Sequence, residues 1–282
     1  MKLVRYGPKG REKPGLIDAD GKLRDLSAKI GDIDGAALSP ASLNKLRKIN
    51  AKRLPLVKGR PRLGTPVANI GKVMCIGLNY SDHAAEAGQP IPSEPILFLK
   101  ANSAITGPND NVTIPRGSKK TDWEVELAVV IGRAASYVPK NKALDYVAGY
   151  TICNDVSERE YQLERGPTWT KGKSCDTFGP IGPWLVTADE IANPQKLDMW
   201  LDLNGKRAQT GNTGKMIFGV ATLISYLSKL MTLHPGDVIS TGTPPGVGMG
   251  MKPQRFLKPG DVMTLGVAGL GQQKQTLVKA KR

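Results

Sequence analysis

Short apolar segments separated by glycine and proline make up most of the chain from Gly71 onward. Segments of this length, rich in β-branched and aromatic residues, predict strands. They are Val73–Gly77, Ile96–Leu99, Val125–Ile131, Ala148–Cys153, Leu197–Leu203, Asp237–Thr241 and Val262–Val267. The dipeptide Asn204-Gly205, directly after one of them, predicts a hairpin turn. Because predicted strands far outnumber predicted helices, the pattern indicates a strand-rich α+β fold.

Two segments from the same part of the chain have helical character. Apolar residues recur at helical spacing along Met216–Met231, which predicts an amphipathic helix. A shorter helix is predicted over Asp82–Ala87, with Ser81 as its N-cap and Gly88 at its end. No GxGxxG turn lies between a predicted strand and a predicted helix, so the sequence does not support a dinucleotide-binding fold.

Residues 1–68 have the pattern of a small α+β domain. Gly15–Leu23 predicts a hairpin with Asp20-Gly21 as its turn. Ser39-Pro40 predicts the start of a capped helix over Ala41–Ile49. The proline- and glycine-rich stretch 55–66 is typical of a linker. The sequence therefore predicts an N-terminal domain over residues 1–68 and a larger domain over residues 69–282.

Composition indicates a globular protein of the cytoplasm. Hydrophobic residues make up 40% of the chain and charged residues 23%, which are ordinary values. No apolar run approaches the ~18 residues of a membrane-spanning helix, and the first residues lack the apolar segment of a secretory signal. The three cysteines, Cys75, Cys153 and Cys175, form no close pair. We therefore expect core cysteines rather than a disulfide framework or a structural zinc site.

The net charge of +15 is concentrated at the N-terminus, where residues 1–62 hold 16 Lys and Arg against 6 Asp and Glu. Such an excess raises the possibility of a nucleic-acid partner. However, the basic residues are scattered among turns and acids, and Tyr6 is the only aromatic residue among them. We expect a solvated basic surface, or a positive potential that attracts an anionic substrate, and no specific nucleic-acid binding.

Acidic residues at the ends of two predicted strands are the main candidates for chemistry. Glu124 and Glu126 are two positions apart, so their side chains lie on the same face of a strand. Asp155 ends another apolar segment and offers a third carboxylate. Like charges this close repel unless a cation lies between them, and hard divalent cations prefer oxygen ligands. A solvated strand face remains the alternative for these residues.

Three other sites offer polar groups to the same chemistry. His83 and Glu86 are i and i+3 on the short predicted helix, which suits a base and its orienting carboxylate, or an ordinary surface pair. Lys173 lies in a loop dense in glycine and proline, where it contacts either solvent or a substrate oxygen. Thr243 lies in a glycine-rich turn that is either structural or close to a ligand. His234 lies in a turn and has no expected catalytic role.

In their order and spacing these segments resemble the fumarylacetoacetate hydrolase family over roughly residues 70–270. The resemblance is carried by Cys75–Tyr80, His83, Glu86, Glu94-Pro95, Phe98, Lys100, Glu124, Glu126, Asn154–Ser157, Arg159, Gln162, Lys171–Ser174 and Thr241–Gly248. It implies a mixed β-sandwich roll, a homodimer, and Mg²⁺ or Mn²⁺ held by Glu124, Glu126 and Asp155. It also implies that His83 and Glu86 form an acid–base dyad on a lid helix.

The resemblance further implies that Lys173 and Gln162 bind substrate oxygens and that Thr243 binds the substrate carboxylate. The segment Gly166–Pro180 is similar to members that act on 2,4-diketo-3-deoxy sugar acids, whereas Leu78 replaces the Arg of some oxaloacetate decarboxylases. We therefore expect a hydrolase that cleaves a C–C bond in a 2,4-diketo acid to pyruvate and a carboxylic acid. The alternatives are an isomerase, a decarboxylase or a ureidoglycolate lyase, a catalytically silent relative, or a basic nucleic-acid-binding protein.

Overall fold

The computed structural model describes residues 1–86 and 88–281 as a strand-rich fold. Its strands are β1 (Lys2–Tyr6), β2 (Lys13–Ile17), β3 (Leu23–Asp25), β4 (Val73–Gly77), β5 (Ile96–Lys100), β6 (Ile105–Thr106), β7 (Val112–Ile114), β8 (Thr121–Asp122), β9 (Val125–Ile131), β10 (Val147–Asn154), β11 (Ser157–Glu158), β12 (Gly179–Thr187), β13 (Asp198–Leu203), β14 (Lys206–Asn212), β15 (Val238–Ser240), β16 (Val262–Val267) and β17 (Gly271–Lys279).

The described α-helices are short except for the last. They are α1 (Pro40–Arg47), α2 (Ser81–Glu86), α3 (Arg159–Leu163), α4 (Thr170–Lys173) and α5 (Val220–Leu230). A seven-residue 3₁₀ segment spans Lys140–Tyr146. Single 3₁₀ turns lie at Ala51–Arg53, Asn102–Ala104, Ala188–Glu190, Thr213–Lys215 and Gly248–Gly250. No described helix is long and apolar enough to cross a membrane.

Most of the strands form two large mixed sheets, and β8 and β11 pair separately with each other. The first runs in the order β3-β2-β1-β12-β10-β9-β15-β4-β5, with β6 beside β12, and the second runs β14-β13-β16-β17-β7. Most neighbours are antiparallel, but the pairs β15–β4, β12–β6 and β17–β7 are parallel. The predicted mixed, strand-rich α+β fold is therefore confirmed.

The core lies on both faces of β9, which is buried along its whole length. Val125, Leu127 and Val129 pack toward the second sheet and α5, whereas Ala128 and Val130 pack on the opposite face. This alternation is the period-two pattern of a strand with two covered faces. It also fixes where the two glutamates point, because Glu126 shares the face of Ala128.

The N-terminal strands extend the first sheet. Leu3 of β1 pairs with Leu185 of β12, and Leu3, Leu16 and Leu43 share a core with the opposite face of β9. The hairpin β2–β3 and the helix α1, capped by Ser39, lie where the sequence predicts them. The domain boundary at residue 68 stays a prediction, within a sheet that is continuous across it.

The predicted helices differ from the observed ones in their ends. α1 spans Pro40–Arg47 rather than Ala41–Ile49. α5 begins at Val220 rather than Met216, because Asn79 holds the preceding segment extended: its carbonyl accepts from Ile217 N and its side chain accepts from Phe218 N. Ser81 is the first residue of α2 rather than its cap. The predicted last residue of that helix, Ala87, lies outside the described residues.

The cysteines are free, as expected of core residues. Cys75 and Cys153 are buried and Cys175 is partly buried. Burial in apolar surroundings raises the pKa of Cys153 to about 12, which keeps it a neutral thiol.

Candidate active site

Glu124, Glu126 and Asp155 meet where β9 begins and β10 ends. These strands are antiparallel, with Val125 opposite Asn154, so the start of one lies beside the end of the other. The Asp155 N–H donates to the Glu124 carbonyl at 2.9 Å and fixes the two backbones together. One oxygen from each of the three carboxylates lies within 4.8 Å of the others, and all three residues are buried.

Three cationic side chains surround two of these carboxylates. Lys173 Nζ donates to Glu124 Oε2 and to Asp155 Oδ2, each at 2.8 Å. Lys100 Nζ donates to the other Asp155 oxygen at 2.5 Å. The Arg159 guanidinium lies 2.7 Å from Glu124 Oε1. Glu124 and Asp155 are therefore ion-paired, although both side chains are buried.

Glu126 is in a different electrostatic position. Its Oε2 accepts from Ser240 Oγ at 2.6 Å and from the Gly242 N–H at 2.9 Å. Among the described residues no lysine or arginine forms a salt bridge with it. Burial, followed by the charges of Asp155 and Glu124, raises the pKa of Glu126 well above its usual value. For Glu124, burial alone would raise the pKa, but Lys173 and Arg159 outweigh it and lower the pKa.

This donor set fits a hard divalent cation. Three buried carboxylates converge on one point, and Glu126 has no ionic partner in the described part of the chain. A divalent charge there would counter both the burial and the repulsion that raise the pKa of Glu126. Carboxylate oxygens are the ligands that Mg²⁺, Mn²⁺ and Ca²⁺ accept. Lys173 contacts two of the three carboxylates, so a bound cation and this ammonium would share them.

His83 and Glu86 lie on α2 beside the glycine-rich turn. His83 Nδ1 is 3.1 Å from Glu86 Oε2, and both Glu86 oxygens accept from the Gly246 N–H, at 3.0 and 3.1 Å. Glu86 therefore orients the imidazole and also anchors α2 to the turn. When Nδ1 donates to Glu86, Nε2 is left as a proton acceptor.

Gln162 and Thr243 are both held by neighbouring side chains. Arg159 donates to Gln162 Oε1 at 3.0 Å, so the Gln162 amide N–H groups are directed away from that contact. The Thr243 hydroxyl donates to the Val125 carbonyl at 2.9 Å and accepts from Gln209 at 2.8 Å. These bonds occupy the hydroxyl, so the backbone N–H is the more available donor of Thr243.

Lys173 is brought to the carboxylates by close packing of two short helices. A Cβ on Gly172 would lie 2.4 Å from the Glu158 carbonyl oxygen, so only glycine lets α4 approach α3 this closely. The neighbouring Lys171 is exposed, whereas Lys173 is buried. Of the two lysines, only Lys173 therefore contacts the carboxylate cluster.

One cavity of about 270 Å³ connects most of these groups. Of the predicted site residues, it is lined by His83, Glu124, Glu126, Gln162, Lys173 and Thr243. Asp155 lies behind Lys173, and Glu86 lies behind His83. His234 is not among the lining residues; its backbone N–H donates to Asp237.

Three charged residues at the site had no predicted role. Arg159 and Lys100 belong to the family-like motifs, but the sequence assigns them no role, and Asp122 lies outside those motifs. Asp122 is fully buried and accepts from Arg159 Nε at 2.9 Å and from the N–H groups of Gly248 and Met249 at 2.7 and 3.0 Å. It joins the turn below α2 to the guanidinium that contacts Glu124.

Sequence comparison assigns this architecture to a family. The profile described as fumarylacetoacetate (FAA) hydrolase, C-terminal, matches residues 72–278. A protein of Burkholderia lata, described as "Putative hydrolase", is 62% identical over 276 residues, which are 98% of each chain. The chain belongs to the fumarylacetoacetate hydrolase family.

Solved structures that resemble this chain include hydrolases and an isomerase. A fumarylacetoacetate hydrolase from Exiguobacterium antarcticum is 34% identical, with a TM-score of 0.85. The maleylpyruvate hydrolase of Sphingobium sp. SYK-6, in complex with manganese(II) and pyruvate, is 28% identical, with a TM-score of 0.83. The 5-carboxymethyl-2-hydroxymuconate delta-isomerase of Mycobacterium smegmatis is 32% identical, with a TM-score of 0.77. Each match covers both chains completely.

Proposed function

We propose that this protein hydrolyses a C–C bond in a 2,4-diketo acid, of which the 2,4-diketo-3-deoxy sugar acids are one example, to pyruvate and a carboxylic acid. The observation that carries the proposal is one cavity lined by Glu124, Glu126, Lys173 and His83. Asp155 and Glu86 contact Lys173 and His83 directly. Pyruvate bound with manganese(II) in the maleylpyruvate hydrolase structure supports the choice of product.

A divalent cation, Mg²⁺ or Mn²⁺, would be held by Glu124, Glu126 and Asp155. When bound, it would act as a Lewis acid toward substrate oxygens. Manganese(II) in the maleylpyruvate hydrolase structure supports this choice of ion. The carboxylate cluster of this chain supports it independently, through the chemistry of its donors.

The residues of the chain would divide the reaction into proton transfer and charge stabilisation. His83, oriented by Glu86, takes a proton from a water whose oxygen attacks the C4 carbonyl. The C3–C4 bond then breaks, and its electron pair remains on the pyruvate half as an enolate. Lys173, Arg159 and Gln162 offer N–H groups to the negative oxygens. His83 returns the proton to C3, so one water supplies the hydroxyl of the acid and a hydrogen of pyruvate.

An isomerase, decarboxylase or ureidoglycolate lyase activity on a related acid is the second candidate. It is favoured by the isomerase among the solved structures, whose resemblance to this chain is similar in extent. Isomerases and decarboxylases of this type would use the same enolate stabilisation, so the residues of the cavity serve either reaction.

Product analysis tests the proposal. Purified protein is incubated with a panel of 2,4-diketo acids and Mg²⁺ or Mn²⁺. Pyruvate is followed with lactate dehydrogenase, and CO₂ and isomers are followed separately. We expect pyruvate together with an equal amount of a second acid, and loss of activity in EDTA. Release of CO₂ would indicate a decarboxylase, whereas neither product would indicate an isomerase. Full activity in EDTA would contradict the cation site.

Glu126→Gln tests the cation site without an activity assay. Because loss of even an outer hydrogen-bond partner of a ligand costs roughly 10–100-fold in affinity, removing a ligand charge should weaken Mn²⁺ binding by more than about 100-fold in calorimetry. Glu164→Gln is the matched control, since Glu164 is exposed and pairs with Lys120. Equal Mn²⁺ affinity in the two variants would refute the assignment.

We also propose that the protein acts as a homodimer, as the family resemblance implies, and that it acts in the cytoplasm, as the sequence pattern indicates. Light scattering coupled to size exclusion tests the dimer.

A further inference from the structure

The cavity is polar at its floor and mostly apolar at its mouth. At the floor of the cavity the polar side chains are buried: Glu126 is 1% exposed, Lys173 2%, and Arg159, Gln162 and Thr243 4% each. At the mouth lie Leu163, which is 46% exposed, and the half-buried Leu78, Trp169 and Met249. A ligand whose charged end reaches the floor therefore places its other end against hydrocarbon.

Trp169 forms a fixed part of this mouth. A Cβ on Gly77 would lie only 2.1 Å from the indole Cζ3, so the ring packs directly on the backbone of β4. The Phe98 ring supports the indole from behind, with 5.6 Å between ring centroids. The apolar wall is thus packed into the sheet before any ligand arrives, which reduces the entropy lost on binding.

We propose that this mouth, formed by Leu78, Leu163, Trp169 and Met249, selects the acyl group of the substrate, and that the preferred 2,4-diketo acids carry a hydrocarbon chain or ring at C4. This inference rests on the proposed function. The 2-oxo acid end, which every such substrate shares, meets the polar floor, so the residues of the mouth decide among substrates.

Polar acyl groups find few partners at the mouth. Among its described lining side chains, Gln89 is the polar one that is exposed. A chain of several hydroxyls would leave most of them without hydrogen bonds, and each buried hydroxyl without a partner is costly. A carboxylate would have to reach Lys252, which lines an adjoining cavity that shares His83 and Met249 with this one.

A series of acids with one head group tests the inference. The substrates are 2,4-dioxopentanoate, 2,4-dioxoheptanoate and 2,4-dioxononanoate, compared with a 2,4-diketo-3-deoxy sugar acid and with maleylpyruvate. Burial of one methylene is worth roughly a fourfold change. We therefore expect kcat/KM to rise by up to about sixteenfold with each added pair of methylenes, and the hydroxylated and carboxylated acids to be at least about tenfold poorer than 2,4-dioxononanoate.

Leu163→Asn, with Leu230→Asn as its control, tests whether the mouth of the cavity is the surface that selects the acyl group. Both leucines end a helix and both are exposed, at 46% and 55%, but only Leu163 lines the cavity. Leu163→Asn should reduce kcat/KM for 2,4-dioxononanoate about tenfold and that for 2,4-dioxopentanoate much less. Leu230→Asn should change neither.

The outcomes separate this inference from the proposed function. Cleavage of 2,4-diketo acids with the sugar acid or maleylpyruvate preferred would overturn the inference and leave the proposed function intact. Equal losses of kcat/KM for the short and the long substrate in Leu163→Asn would also overturn the inference and leave the proposed function intact. If no acid of the panel releases pyruvate, both are overturned.

Discussion

Asp122→Asn is the substitution for which the structure predicts the largest effect outside the cation site. The wild-type carboxylate is fully buried and accepts four N–H groups: Trp123 N at 2.9 Å, Gly248 N at 2.7 Å, Met249 N at 3.0 Å and Arg159 Nε at 2.9 Å. Each oxygen accepts two of them. In Asp122→Asn an NH₂ group replaces one carboxylate oxygen and faces two N–H donors. The buried Arg159 guanidinium also loses one of its anionic partners.

The cost follows from the kind of bond that is lost. A hydrogen bond to a charged group contributes about 1.5–3 kcal/mol, and breaking a buried ion pair from one side costs about 3–5 kcal/mol. Because the four bonds share one carboxylate, their losses are not additive. We expect the free energy of unfolding to fall by about 3–5 kcal/mol. At about 2–4 °C per kcal/mol this lowers the Tm by roughly 6–20 °C.

Urea and thermal unfolding of the variant measure this cost. Asp202→Asn is the control, since Asp202 pairs with Arg207 on the surface, where the arginine side chain is 52% exposed. Loss of an exposed pair costs under about 1 kcal/mol. Mn²⁺ calorimetry on folded Asp122→Asn should also show weaker binding, because Arg159 no longer holds Glu124 in place. If both substitutions shift the Tm equally, the network does not stabilise the fold as argued.

Two further predictions concern the acid–base pair and a salt bridge far from it. His83→Ala should lower kcat by roughly 10²–10⁴ while Mn²⁺ affinity stays within about twofold in calorimetry, since the imidazole is not one of the clustered carboxylates; normal turnover would exclude His83 as the base. Burial alone would raise the pKa of Asp110, but hydrogen bonds from Arg62 Nε at 2.7 Å and Thr106 outweigh it and lower the pKa. Its folded pKa is then below the unfolded one, so its contribution to stability is present above the ordinary value of 3.8 and is lost as the pH falls through the lowered pKa. The free energy of unfolding, measured in urea at pH 7 and below pH 4, should fall less between the two pH values in Asp110→Asn than in wild type. Equal falls in the two proteins would contradict this.

The sequence predicts the observed strands correctly where the local pattern of apolar residues and breakers is clear. The strands β4, β9 and β16 have the predicted bounds. In β4 and β9 a continuous apolar run between breakers suits a strand with two covered faces. β12 was missed because Pro180 and Pro183 are atypical of a central strand. The structure accommodates them beside β10 at a register shift near Ile152.

The site could be predicted only as far as its residues lie in recognisable motifs. The clustering of Glu124, Glu126 and Asp155 follows from strand periodicity and strand ends. Asp122 carries no such signal, since its partners Arg159 and Gly248 are 37 and 126 positions away. Contacts between segments so far apart depend on the assembled fold, which one sequence does not specify locally.

The pairing of β1 with β12 has a consequence for how the chain is made. Roughly 170 residues separate the two strands, and at about 5–20 residues per second their synthesis takes on the order of ten to thirty seconds. During that interval β1 has its neighbour β2 but not β12, and the apolar side chains of Leu3 and Val4, which are fully buried in the finished fold, lack the cover of the rest of the sheet. Moving residues 1–68 to the end of the chain would shorten this wait, so a permuted gene should give less aggregate at high expression.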